Sequence, residues 1–181
     1  MPHIIYDVAV SIDGFIAGPA ADISKFAHEG PVVEHYYSRL EGYAAAIMGR
    51  QTYEFGYRFG LTPGANPYPH MDTYVFSRSM TLPADSDVHL ITEATGNRLR
   101  RLKAEASGPV YLVGGGHFAS AVLADGLLDQ IVLKRAPIIY GTGTPLFDRV
   151  PQGVTLRCTG THDYGTGYLL QHFDVQYADA Q

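Results

Sequence analysis

The sequence predicts an α/β protein built on one mostly parallel sheet with antiparallel edges. Three observations carry this reading. Short apolar runs alternate with segments of helical period along most of the chain. Two of those runs end in glycine and pass straight into a helix start, as strand–helix junctions of a parallel sheet do. The last stretch reads as two alternating strands around a glycine-rich turn, an antiparallel hairpin that closes the sheet.

Residues 3–11 read as a buried strand. Ser11 to Gly18 is a turn followed by a short second extended piece, with Asp13-Gly14 as the turn chemistry. Residues 31–43 have helical period: Val32, Val33, Tyr36, Tyr37 and Leu40 fall on one side, and Pro31 suits a first helical position. Ala44 to Met48 is a short buried strand, and Gln51 to about Tyr57 is the helix after it. Gly60 to His70, rich in Gly and Pro, is a loop long enough to sit over a site. Thr73–Phe76 and Val88–Ile91 are short strands. Glu93 to Glu105 is a helix with Leu99 and Leu102 inward. Arg98, Arg100, Arg101 and Lys103 form a solvated basic face. Val110–Val113 is strand and Gly116–Leu123 helix. Gln130 to Ile139 is extended, with Pro137 marking a bulge or an edge. Val154, Leu156 and Cys158 alternate, as do Leu169, Phe173 and Val175, and Asp163 to Gly167 joins the two runs.

The chain has 181 residues, which favours a single domain over 1–181 with a real core. An apolar fraction of 46% against 17% charged marks it as globular rather than disordered. A net charge of −5 argues against nucleic acid as the main partner, since phosphate-backbone binders carry a basic face. One cysteine, Cys158, excludes an intrachain disulfide, and its surroundings read as core filler rather than as a nucleophile. The first residues lead directly into an apolar run containing Asp7, without a basic leader, and no run approaches the ~20 apolar residues that span a bilayer. The expectation is a cytoplasmic protein without a membrane partner. The histidines are scattered, with no H-x-x-x-H pair on a helix, so no metal is expected. There is no G-x-S-x-G for serine hydrolysis.

The two glycine junctions carry the chemistry. Ile47 to Glu54 and Val110 to Phe118 are each an apolar run, then glycine, then a helix start. Helix N-termini bear unsatisfied N–H groups and a partial positive charge, so phosphate is their natural guest. A ligand with several phosphates, such as NADPH, would use both junctions. Gly114-Gly115-Gly116-His117-Phe118-Ala119 satisfies G-x-G-x-x-A, but the acid a Rossmann fold needs about 20 residues on is missing, since Lys134 and Arg135 stand there. Three readings therefore stand: a Rossmann turn, a plain strand–helix turn, or a pyrophosphate contact in a different fold. Arg50 at a helix start works against the dipole unless an anion is present, and Thr52 adds a hydroxyl in the first turn. Ser77-Arg78 is a second hydroxyl–arginine pair at a strand end.

Together these pieces resemble the dihydrofolate reductase superfamily, in the branch of the bacterial riboflavin biosynthesis reductase C-terminal domain and its stand-alone relatives. The carrying segments are Val10 to Ala17, Met48 to Glu54, Val113 to Gly116 and Ala136 to Phe147, in the family's order. The resemblance implies a three-layer sandwich: a mixed, mostly parallel sheet, helices on both faces and a C-terminal antiparallel hairpin. It implies NADPH-dependent hydride transfer to a pterin, pyrimidine or related ring. By position, Ala9 and Ile16 would border the nicotinamide. Gly49, Arg50 and Thr52 would hold phosphate. Ser77 and Arg78 would take the 2′-phosphate. Gly114, Gly115 and Gly116 would admit the pyrophosphate, with His117 and Phe118 beside it. Asp22 resembles the acid of the substrate site, where a raised carboxyl pKa would relay a proton; the alternative is a capping aspartate. Lys134 either meets an anionic substrate group or faces solvent. The chain departs from folate reductases in having no tryptophan, and from riboflavin-pathway reductases in carrying Phe15 where a lysine is usual. Two alternatives follow: reduction of 5-amino-6-(5-phosphoribosylamino)uracil, and a nucleotide-binding module without catalysis. Relatives of this kind are commonly dimeric, so a homodimer is expected.

Overall fold

The computed structural model describes residues 2–93 and 95–177. The chain runs β1 (Ile4–Val10), β2 (Phe15–Ala17), α1 (Pro31–Leu40), β3 (Ala45–Gly49), α2 (Arg50–Phe55), β4 (Asp72–Phe76) and β5 (His89–Ile91). It continues as α3 (Thr95–Glu105), β6 (Val110–Gly114), α4 (Gly116–Ala124), β7 (Gln130–Arg135), β8 (Thr144–Pro145), β9 (Thr155–Asp163) and β10 (Leu169–Gln176). Eight strands form one sheet in the order β5-β4-β3-β6-β1-β7-β10-β9. From β5 to β7 every pairing is parallel. β10 then pairs antiparallel with both β7 and β9. The mixed sheet with a closing hairpin is therefore the architecture. A small antiparallel pair, β2 with β8, stands apart; β8 left no periodic signal because it is only two residues long.

Strand alternation divides the core into two layers. Ile4, Tyr6, Ile47, Val110, Leu112 and Ile131 face α3 and α4, meeting Leu99, Leu102, Phe118 and Val122. Ala46, Met48, Tyr111 and Val113 face the other way, toward Leu40 of α1 and Tyr53 of α2. Both faces of the central strands are covered, which is why they read as continuous apolar runs. Full burial of a side chain such as Leu99 or Leu112 contributes about 1.5–3 kcal/mol.

Four expectations change. The strand expected to reach Ile139 stops at Arg135: the Ala136 N–H still donates to Val10 O (2.8 Å), but Pro137 has no N–H to give. Cys158 is exposed rather than core, because β9 is the outermost strand and its residues face solvent. The basic face of α3 is tied down at two points: Lys103 donates to both oxygens of Asp129 at 2.6 Å, and Arg98 stacks on the Tyr74 ring. The 60–70 loop is pinned rather than draped, with the Tyr53 hydroxyl donating to Ala65 O (2.8 Å) and accepting from the Gly64 N–H (2.9 Å). No helix of the described residues is long and apolar enough to cross a membrane.

Candidate functional site

The two glycine junctions meet. β3 and β6 are parallel neighbours, and their register slips by one residue at the end, so that Met48 pairs with Gly114. Gly114 has φ +134, a conformation glycine adopts freely and other residues resist, and the Gly114–Gly115 peptide is cis. A Cβ placed on Gly115 would lie 3.4 Å from Thr52 Oγ1, and one on Gly114 would lie 4.0 Å from it. The hydroxyl from one junction thus faces the glycines of the other. Among the described residues that hydroxyl makes no hydrogen bond. Neither α2 nor α4 has a capping side chain, since Gly49 and Gly115 hold the N-cap positions. The first-turn N–H groups of α4 therefore keep no side-chain acceptor.

Topology places the two bends at a switch point of the sheet. α2 leaves β3 on one face of the sheet and α4 leaves β6 on the other. Adjacent strands whose following helices diverge open a crevice at their carboxyl ends, the ligand position of open α/β sheets. Two surface clefts lie elsewhere, one lined in part by Leu82, Val88 and Arg98 and the other by Asn66, His70 and Asp87; neither reaches the glycine bends.

The other expected cofactor contacts fall along the same row of strand ends. Phe76 is the register partner of Gly49, so Ser77 and Arg78 follow the end of β4 beside β3. The Ser77 hydroxyl already accepts the N–H groups of Ser79 (3.3 Å) and Met80 (3.0 Å), closing a turn, while Arg78 is exposed. Ala9 sits near the end of β1, half-buried, and Ile16 lies on β2, which packs on β1. Arg50 is exposed and reaches its own Glu54 at 3.6 Å, a partner one turn on that also answers its unfavourable place in the helix dipole.

Three residues play parts other than those expected. Gly116 does not open toward a ligand: its Cβ would lie 2.2 Å from Pro145 O, so the glycine is there for close packing against β8. The Phe118 ring is buried against Phe76 at 5.0 Å, and its Cβ lies against the Gly49 bend, 3.4 Å from where a Cβ on Gly49 would be. His117 is almost wholly exposed and reaches Asp148 at 3.2 Å.

Asp22 does not have the character of a proton relay. Its Oδ1 accepts the Ser24 N–H at 2.9 Å. That bond, with the Ser24 hydroxyl, holds the carboxyl below the usual range, opposite to the raised value expected. It closes a local turn after residues 19–21 and caps no regular helix.

Sequence reasoning missed a buried charge cluster. Asp7, 1% exposed on β1, accepts two bonds from Arg39, Nε to Oδ2 at 2.7 Å and Nη2 to Oδ1 at 3.1 Å. The Tyr43 hydroxyl donates to Oδ2 at 3.1 Å, and Lys134 Nζ donates to Oδ1 at 2.7 Å. Burial alone would raise the Asp7 pKa, but the Lys134 and Arg39 cations outweigh it and hold the group charged, below the carboxylate range. Lys134 is buried, not solvent-facing, with Nζ 3.9 Å from the centre of the Tyr36 ring. The available signal was Asp7 itself, an acid inside an apolar strand, which must find a cation when buried.

Known proteins match this frame. The model of the RibD C-terminal domain family matches residues 2–170. YwjB, an uncharacterized protein of Bacillus subtilis (strain 168), is 30% identical over 168 residues, covering 91% of this chain and 94% of its own. A Shewanella sp. PV-4 structure named for riboflavin biosynthesis superposes with a TM-score of 0.82 at 22% identity, covering 98% of this chain and 100% of that one. The Thermotoga maritima diaminohydroxyphosphoribosylaminopyrimidine deaminase/5-amino-6-(5-phosphoribosylamino)uracil reductase superposes with a TM-score of 0.72 at 14% identity. That match covers 97% of this chain and 57% of the Thermotoga one. At such identities the two structures speak for the fold. The family match runs almost end to end, and the chain belongs to the RibD C-terminal domain family.

Proposed function

We propose that the chain is an NADPH-dependent reductase that delivers hydride to a heterocyclic ring, a pterin, a pyrimidine or a related compound. One observation carries the reading: two glycine bends on neighbouring strands, with the unpartnered Thr52 hydroxyl between them, open at the point where α2 and α4 diverge. The residues fit a pyrophosphate. Side chains are absent where the backbone must approach, and hydroxyl and N–H donors are present without internal partners. The row of strand ends β4, β3, β6, β1 spans three strand spacings, roughly 14 Å. That length suits an extended dinucleotide with its adenosine at Arg78, its phosphates at the bends and its nicotinamide at Ala9. NADPH would supply the hydride; the chain's own work is to hold phosphate, exclude water and manage a proton.

The Thermotoga relative is named for reducing 5-amino-6-(5-phosphoribosylamino)uracil, so that compound belongs in the substrate panel, although Phe15 occupies the position where that pathway's lysine would stand. Titration with NADPH and with NADH, read by quenching of tyrosine emission, tests the first half of the reading. A screen of ring substrates for loss of reduced-coenzyme absorbance tests the second. Stoichiometric NADPH binding without turnover of any pterin, pyrimidine or quinone would instead make this a nucleotide-binding module.

A further inference from the structure

Asp22 spends its carboxyl on its own turn, accepting the Ser24 N–H at 2.9 Å, and the next strand of the row carries another group able to give a proton. β7 follows β1 in the sheet, and Lys134 is the register partner of Ala9. Its side chain lies on the same face as Asp7, two residues back on β1, and meets it at 2.7 Å. We infer that Lys134 is the proton donor of the site, placed beside the ring that lies over Ala9. The inference rests on the reductase reading of that site.

The cluster is larger than the fold requires. Asp7 is already satisfied by two bonds from Arg39 and one from Tyr43. Lys134, itself buried, adds a second cation to one carboxylate that the half-buried Arg39 already meets, and a buried charge with half a partner is destabilising. Two influences compete at this lysine: burial disfavours its charge, and the Asp7 carboxylate favours it. Burial, with the Arg39 charge nearby, lowers its pKa from the usual lysine range, which brings it nearer the pH at which a general acid works best. Of its three N–H groups one meets Asp7 and the Tyr36 ring covers another direction; the proposal assigns the remaining one to the ligand atom.

The step balances. A hydride supplied by bound NADPH would form the new C–H bond at the carbon of a C=N or C=O bond of the substrate, in the ring of a pterin or at the anomeric carbon of a ribosylamino group. The π pair moves to the heteroatom, which takes the proton from Nζ as the Nζ–H bond breaks. Two electrons leave the coenzyme and enter the substrate, and a neutral amine remains beside Asp7. Water returns the proton by way of the partly open Arg39 side of the cluster.

Other groups face the lysine. Asp7 comes from β1, and Tyr36 and Arg39 from α1. Tyr43, Tyr68 and Tyr111 close the cluster, all with pKa values pushed up by burial. His172 on β10 is lowered, by burial first and then by Arg39. His35, His162 and Tyr164 pack on one another, and Arg39 Nη1 donates to the His35 carbonyl at 3.1 Å.

The test has two arms. In the first, lysine Nζ is labelled with nitrogen-15 and the Lys134 signal is identified by its loss in Lys134→Met. It should titrate below the other lysines and shift when NADP+ is added. An ordinary titration, or no shift while signals of the glycine bends do move, overturns the proposal and leaves the reductase reading standing. Failure of the wild-type protein to bind either NADP+ or NADPH overturns both. In the second arm, single turnovers with dihydrofolate and with 5-amino-6-(5-phosphoribosylamino)uracil are followed against pH. The wild-type rate should fall as pH rises through the Lys134 pKa. Lys134→Met should keep NADPH affinity within twofold and lose at least ~100-fold in rate. Lys134→Arg keeps the charge but holds its proton, so it should not restore the rate; a restored rate would show that charge alone acts, and the proposal fails. Binding of NADPH without reduction of either compound by the wild-type protein overturns the proposal together with the reductase reading.

Discussion

Thr52→Val separates coenzyme binding from folding with unusual clarity. The substitution keeps the shape of the side chain and removes one oxygen. That oxygen has no hydrogen-bond partner among the described residues and stands 3.4 Å from where a Cβ on Gly115 would be. Folding should not notice the loss: substitutions that break no buried contact fall within about 0.5 kcal/mol. Binding should notice it. A hydrogen bond to a charged group contributes about 1.5–3 kcal/mol, and 1.4 kcal/mol is tenfold in affinity, so the NADPH dissociation constant should rise roughly 10- to 150-fold. NADH affinity should fall by the same factor, because the pyrophosphate is common to both coenzymes. Isothermal titration with each, beside a urea melt of both proteins, gives the needed numbers. A change in Kd below twofold, with wild-type binding intact, would refute the placement of phosphate between the bends. A loss of affinity matched by a large loss of stability would refute the claim that the hydroxyl is free of structural duty.

Further outcomes follow from the same geometry. Arg50→Ala removes only an exposed pair with Glu54 from the fold, so the urea midpoint should hold while NADPH binding weakens in titration. Arg78→Ala should weaken NADPH more than NADH; equal losses would remove its 2′-phosphate role. Gly116→Ala forces a Cβ to 2.2 Å from Pro145 O and should destabilise by about 1–3 kcal/mol in a urea melt. Asp7→Asn leaves Lys134 and Arg39 buried without their carboxylate and should cost about 3–5 kcal/mol near neutral pH. Because the folded Asp7 pKa is depressed, its contribution is complete above the unfolded carboxylate value, about 3.9, and disappears as pH falls through the folded value. The gap between wild type and Asp7→Asn should therefore close in acid, as denaturation at stepped pH will show.

The legible parts of this chain were those written in local pattern. Ile47, Leu112 and Ile131 announce strands covered on both sides, and the glycines of 49 and 114–116 announce strand–helix turns. Partnership across distance was not legible. Nothing local says that Arg39 of α1 and Lys134 of β7 will both choose Asp7, at sequence separations of 32 and 127. Nor does the alternation of Leu156 and Cys158 reveal that β9 is the outer edge, where an apolar side chain has nothing to pack on. Asp22 shows a subtler limit: a carboxyl two residues ahead of a free N–H will take it, and that local bond leaves no mark in the residue pattern.

The arrangement separates stability from chemistry along the strand axis. The mid-strand residues Tyr6, Ile47 and Leu112 carry the packing, and their loss would be felt by the whole sheet. At the carboxyl ends the sequence turns to glycine, alanine and hydroxyls, at positions where Gly114 and Gly115 touch little of their own chain. Such a rim contributes little to folding and is free to be shaped by a ligand. Gly116 is the exception that fixes the boundary, for its hydrogen is pressed against β8 and the packed core resumes there. Asp7 and Lys134 break the division from the other side. They place charge inside the packed layer directly beneath Ala9, a position that folding alone would fill with leucine or valine. If hydride is exchanged at that strand end, as proposed, the second cation of the cluster has a use there beyond stability.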